Sequence, residues 1–165
     1  VSWTRPENWH LTLKFLGETT PETVAAVKAA LSGVRCPSFG LKAGGCGFFP
    51  DIRRPRVAWL GLTQGGPECQ ALARAVDGAL APLGFPPEGR PFAAHLTLGR
   101  IKDVGGPKGG PGGGQDWAKV QALAGGLAWP EAGMDRFVLW ESRLHPQGPE
   151  YVALGEYPLA GDRPG

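Results

Sequence analysis

Two stretches of this chain are identical: His10-Leu11-Thr12-Leu13 recurs as His95-Leu96-Thr97-Leu98, and the pair uses two of only three histidines. With Leu at 18 and Thr at 7 of the 165 positions, a given histidine is followed by Leu-Thr-Leu by chance about once in 2,000 trials, so the second copy is a repeat signal. The copies stand about half a chain length apart, which predicts a duplicated fold with one copy on the matching strand of each lobe.

Strand parity gives each copy its meaning. In an extended chain residues i and i+2 share a face, so His10 with Thr12, and His95 with Thr97, point one way while the leucines anchor the core. Lobes related by a pseudo-twofold axis then bring two imidazoles and two hydroxyls to one cleft. An imidazole titrates near neutrality, and a pair with one ring neutral and the other protonated serves as base and acid in an in-line displacement at phosphorus. The hydroxyls of Thr12 and Thr97 donate to non-bridging oxygens as charge builds there. Such chemistry needs no metal and no cofactor. Two histidines this far apart, with no obvious carboxylate or cysteine partner, make a poor metal site.

The remaining pattern fits two halves that each read strand, helix, strand, strand. Residues 8–16 alternate as a strand, with Trp9, Leu11, Leu13 and Phe15 on the core face and His10, Thr12 and Lys14 opposite. Thr20-Pro21 opens a helix with Val24, Val27, Leu31 and Val34 at helical spacing. Residues 38–42 and 46–49 read as a strand broken by Gly44-Gly45, and residues 56–62 as a stronger one. Gly66-Pro67 starts a second helix, with Leu72, Val76, Leu80 and Leu83 on its buried side, before a proline-rich bend at 82–91. In the second half, residues 94–101 form a strand, and residues 105–114, nearly all glycine and proline, form a flexible surface loop. A helix at 116–127 carries Trp117, Val120, Leu123 and Leu127 on one face, and residues 136–144 and 151–159 make a hairpin. The expected class is α+β: a single bilobal domain over residues 1–165, duplicated, with two antiparallel sheets facing a central cleft and helices outside.

Glycine and proline number 27 and 17, but six tryptophans and a regular supply of aliphatic residues argue for a globular chain. No apolar run approaches the roughly 18 residues that cross a bilayer, and the opening Val1-Ser2-Trp3-Thr4-Arg5-Pro6 lacks the charged and apolar regions of a signal peptide. Cys36, Cys46 and Cys69 form no C-x-x-C pair, which points to reduced, buried thiols in a cytoplasmic protein. A net charge of +2 excludes a protein that coats nucleic acid and leaves only local contact with it.

Paired His-x-Thr-x motifs on symmetric lobes resemble the 2H phosphoesterase superfamily. The stretches N-W-H-L-T-L-K-F-L-G-E at 8–18, F-F-P and R-V-A-W-L-G-L within 48–62, F-A-A-H-L-T-L-G-R at 92–100 and W-E-S-R-L-H-P-Q-G-P-E-Y at 140–151 are similar, in order, to its bacterial 2′-5′ RNA ligase branch, also called RNA 2′,3′-cyclic phosphodiesterase. The resemblance implies hydrolysis of RNA 2′,3′-cyclic phosphate ends, or of cyclic nucleotides, to 2′-phosphates by a monomer that needs no membrane, with ATP-independent 2′-5′ joining as a related activity. It implies His10 as proton donor to the departing 3′ oxygen, His95 as proton acceptor from water, and Arg100 as a phosphate contact. It also implies a missing N-terminal strand and helix, since that branch carries both ahead of its first motif.

Several residues have duller readings beside these. Strict alternation sets Arg100 opposite His95, so its phosphate role requires a bulge or strand end near Gly99. Phe48 and Phe49 are candidates for stacking a base, Phe48 being taken as the substrate contact, against core packing for both. Arg53, Arg54 and Arg56 either guide RNA backbone or decorate a solvated turn, Lys108 has no local argument, and His145 reads as a turn residue. A non-catalytic RNA-binding module on the same fold is the rival function; two intact His/Thr pairs argue against it.

Overall fold

The structure is a computed structural model that describes residues 1–102, 116–146 and 148–160; the glycine-rich segment at 105–114, with Lys108, lies outside them. In chain order its elements are β1 (Ser2–Trp3), α1 (Pro21–Leu31), β2 (Phe39–Phe49), β3 (Val57–Gln64), α2 (Gly66–Leu80), β4 (Leu96–Arg100), α3 (Trp117–Gly125), β5 (Glu131–Met134), β6 (Arg136–His145) and β7 (Gly148–Pro158). The class is α+β, with one five-stranded antiparallel sheet of order β1-β4-β3-β2-β5 and a second sheet made by β6 and β7. The chain divides into two compact units. The first holds Val1–Thr12, Leu41–Gly66 and Ala94–Glu131, the second Leu13–Gly40, Pro67–Ala93 and Ala132–Gly165.

In the first unit the sheet turns one face to a core of Cys46 and Phe48 from β2, Ala58 and Leu60 from β3, and Ile101 and Trp117, with Leu96 and Leu98 of β4 packed against it. Leu60 is only 1% exposed, a burial worth about 1.5–3 kcal/mol. Helix α3 starts where the Asp116 side chain accepts the Lys119 N–H. Its buried stripe is Trp117, Val120 and Ala124, joined by Trp129. Leu123 and Leu127, expected on that face, stand 64% and 58% exposed. Strand β2 runs unbroken through Gly44-Gly45. The glycines form a bulge, marked by register slips against β3 and a Gly45 φ of 72°, where a side chain would be strained.

The predicted strand at 8–16 is absent as such. Only Leu11 pairs, in a single antiparallel bridge to Leu96. The edge of β4 is shared: Ser2 and Trp3 pair with Arg100 and Gly99, and a 3-10 turn at Pro6–Asn8 separates that pairing from the bridge. A proline without an N–H, followed by a turn, leaves no ladder to propagate. Phe15, expected in the core, is 81% exposed.

The second unit has its own core: Val27, Leu31 and Val34 from α1 and just after it, Leu72, Val76 and Leu80 from α2, and Phe137, Tyr157 and Leu159 around the β6–β7 hairpin. Phe137 and Tyr157 stack at 5.0 Å across the hairpin. Thr20 caps α1 by accepting the Thr23 N–H, with Pro21 in the first turn as expected. Leu83 lies beyond α2, in the turn Ala81–Leu83, and is 37% exposed. His145 is the last residue of β6, pairs with Gly148, and its Nε2 lies 3.1 Å from a Glu150 carboxylate oxygen. Lys14 shows no solvent-facing charge: its side chain is 4% exposed and ion-paired to Asp77. All three thiols are unbridged, and burial pushes Cys46 upward and Cys69 up to about 11. Among the described residues no helix is long and apolar enough to cross a membrane.

Candidate active site

The bridge between Leu11 and Leu96 determines where the two motifs look. Residues directly opposed in an antiparallel pair share a face, and their neighbours share the other. With the leucines opposed, His10 falls opposite Thr97 and Thr12 opposite His95, all four on the face away from the leucines. Cβ atoms of such opposed residues sit about 4.5–5.5 Å apart, and diagonal ones about 7–8 Å. His10, Leu11 and Thr12 of the first motif and all of the second lie in the first unit, and Leu13 in the second; β4 carries Leu96, Thr97 and Leu98 directly after His95.

The same register sorts the neighbouring strands. Trp59 is opposite Thr97, and Gly47 opposite Trp59, so Gly47, Phe49 and Trp59 share the histidine face while Cys46, Phe48, Ala58 and Leu60 face the core. Phe48 is accordingly a core residue, 6% exposed and edge-on to Trp117 at 5.3 Å. Its neighbour Phe49, 39% exposed, is the phenylalanine beside the motif, 5.2 Å from the His95 ring and stacked on Trp59 at 5.2 Å. Trp59 meets His95 at 6.2 Å. The indole has room only because residue 47 lacks a side chain: a Cβ there would come within 2.2 Å of the ring. His10 is held from behind. Its Nδ1 donates to the Asn8 carbonyl at 2.7 Å, since a carbonyl can only accept. Trp9, packed edge-on against Trp129 and bonded through its indole N–H to the Thr4 carbonyl, anchors the same segment.

A bulge in the β3–β4 pairing returns Arg100 to the histidine side of the strand. The register slips by one residue between Thr97 and Gly99, so Arg100 pairs with Val57, two residues from Trp59. One extra residue reverses parity and returns Arg100 to the side of Thr97. Gly99 must be small there, because β1 passes so close that a Cβ would lie 2.9 Å from the Ser2 carbonyl. Arg53 and Arg54 are exposed in a turn whose N–H groups are both accepted by Asp51. Among the described residues no group of three or more His, Cys, Asp or Glu is gathered as a metal ion would need.

The pattern of the LigT-like phosphoesterase family matches residues 1–59 and 60–151. The chain belongs to this family. Among relatives named RNA 2′,3′-cyclic phosphodiesterase, this LigT-like chain is 36% identical to one from Archaeoglobus fulgidus over 93% of its own length and 81% of the relative's. It is 32% identical to one from Aquifex aeolicus, over 96% and 82%. A match to the Aeropyrum pernix protein is 38% identical but spans 58% of this chain and 54% of that protein. Two solved structures resemble it: a Thermus thermophilus protein at 27% identity, TM-score 0.74, covering 98% and 84%, and the E. coli LigT complex with 3′-AMP at 27%, TM-score 0.71, covering 95% and 80%.

Sequence reasoning missed one aromatic neighbour of the LigT-like motifs, Trp59, which registers there only as a strand residue, and it weighed Phe49 with Phe48 for base stacking. Counting parity from His95 through the strand partners finds Trp59 and separates Phe49 from Phe48, but only once the pairing is known.

Proposed function

We propose that the protein is a metal-independent RNA 2′,3′-cyclic phosphodiesterase that leaves 2′-phosphate ends. The observation that carries this reading is the Leu11–Leu96 bridge, which by parity gathers two imidazoles and two hydroxyls on one face, in a family whose relatives bear that name. His95 takes a proton from water as the water oxygen attacks phosphorus. The P–O3′ bond breaks as the P–O2′ bond is kept, and His10 delivers its Nε2 proton to the departing O3′. Thr12, Thr97 and Arg100 donate to the non-bridging oxygens as their charge grows. Phe49, rather than Phe48, offers an exposed ring to the base of the terminal nucleotide. With an RNA 5′-hydroxyl in place of water, the same displacement forms a 2′-5′ linkage without ATP. In this reading the enzyme works as a cytoplasmic monomer and uses no cofactor.

The test is product analysis. Incubated with RNA ending in a 2′,3′-cyclic phosphate, the protein should yield a terminal 2′-phosphate identifiable by ³¹P NMR. A 3′-phosphate product would reverse the leaving group and the histidine roles, and tight RNA binding without turnover would leave only the binding-module reading.

A further inference from the structure

The second unit carries a cavity that the reaction above does not use. Its volume is about 310 Å³, and it is lined by Leu13, by residues of α2 and by residues 88–92, at the small end of the roughly 300–1,000 Å³ common for small-molecule sites. Its walls are tied together. Asp77 of α2 binds the Lys14 ammonium through one oxygen and accepts the Glu88 N–H at 3.4 Å through the other, while Lys14 also donates to the Pro86 carbonyl at 2.7 Å. With the Lys14 side chain 4% exposed, this network fixes the loop to the helix and preforms the cavity.

What lines the cavity selects its ligand. Arg74 and Arg90 both face it, and with Asp77 engaged by Lys14 neither has an ion-pair partner among the described residues. Two unpaired guanidinium groups in one small concavity favour a phosphate group, whose oxygens both can bind through paired N–H donors. The Phe92 ring and the Glu88 carboxylate also line it. Inorganic phosphate would gain nothing from the ring and would be repelled by the carboxylate, whereas a nucleotide can lay its base or ribose on Phe92 and donate a hydroxyl or amine to Glu88. We infer that this cavity is a binding site for a phosphate-bearing nucleotide unit, drawn either from free mononucleotide or from an internal position of an RNA strand. The inference rests on the cavity alone and is independent of the two-histidine reading.

The experiment is an NMR titration of the full ¹⁵N-labelled chain carrying His95→Ala, so that nothing is turned over, with 5′-AMP, inorganic phosphate and an RNA trinucleotide bearing only internal phosphates. Saturable shifts are expected at the Gly89 amide and the Arg74 and Arg90 Nε–H signals, with 5′-AMP or the trinucleotide binding about tenfold more tightly than inorganic phosphate. Whichever of the two binds more tightly identifies the source. Replacing Arg74→Ala and Arg90→Ala together should weaken binding at Gly89 by about 10- to 100-fold while signals of the first unit keep their positions. Three results would each overturn the inference: no shift at Gly89 with either nucleotide, unchanged affinity in the double variant, or inorganic phosphate binding as tightly as the better of 5′-AMP and the trinucleotide.

Discussion

Replacing Gly47→Ala tests how the second histidine is held. A Cβ at position 47 would lie 2.2 Å from Cζ2 of Trp59 and 2.6 Å from both Cε2 and Cη2, against roughly 3.5–4.0 Å for unstrained carbon contacts. The indole must therefore move by more than an ångström, yet it is stacked on Phe49 and set against His95, so the movement passes to both. Overpacking of this kind costs about 1–3 kcal/mol, offset by up to about 1 kcal/mol from the stiffer unfolded chain of alanine. A net loss near 1–2 kcal/mol is expected in urea unfolding. A displacement of about 1 Å at a catalytic group can cost on the order of 10² in rate, so kcat/KM on a 2′,3′-cyclic nucleotide should fall far more than stability alone explains. The double-mutant cycle with Trp59→Leu isolates the cause. Once the ring is gone, Gly47→Ala should be nearly neutral, giving a coupling energy above about 1 kcal/mol. Additivity within about 0.5 kcal/mol, or a Gly47→Ala protein with full activity, would refute the reasoning.

Other outcomes follow from the same structure. Asp77→Ala strands the buried Lys14 ammonium and should cost about 3–5 kcal/mol in urea unfolding, with most of it recovered when Lys14→Met is added; a loss under about 1 kcal/mol would mean that the pair is not buried in solution. Thr12→Val and Thr97→Val should each lower kcat by about 10- to 100-fold with little change in melting temperature, and unchanged kcat would remove the hydroxyls from the mechanism. Because burial holds Cys69 up to about 11 and raises Cys46, a thiol reagent at mildly alkaline pH should label Cys36 first. The raised thiol of Cys69 also sets a sign: its stabilising contribution is full below the unfolded thiol value near 8.5 and is lost as pH climbs toward about 11. Rising stability across that window would contradict its burial.

Much of the architecture is readable because local rules and packing agree. Thr20-Pro21 announces α1, period-3.6 apolar residues announce α2, and β-branched and aromatic runs announce β3 and the final hairpin. The failures are places where a distant partner decides. Residues 8–16 alternate like a strand, but β4 has its edge partly taken by Ser2–Trp3, so only Leu11 pairs. Alternation puts Lys14 on the solvent side because its partner, Asp77, lies 63 residues away and leaves no local trace. Leu123 and Leu127 match the helical period, yet both stand exposed while Trp129 packs against the core. At the site, the repeated tetrapeptides point to His10, Thr12, His95 and Thr97, and strand parity alone demands the bulge that Arg100 needs. The choice between Phe48 and Phe49 is out of reach of the sequence, since it depends on which face of β2 meets Trp59.

The two-histidine mechanism is tested most directly by kcat/KM for a 2′,3′-cyclic nucleotide from acid to alkaline pH, for the unaltered protein, for His10→Ala and for His95→Ala, each after exhaustive chelation. One ring must be neutral and the other protonated, so the unaltered protein should give a bell whose limbs belong to the pair, unchanged by the chelator. Each variant should lose one limb and about 10²- to 10⁴-fold in rate. A variant that keeps near-full activity, or activity that vanishes on chelation and returns with a divalent ion, would contradict the assignment of His10 and His95 as an acid-base pair.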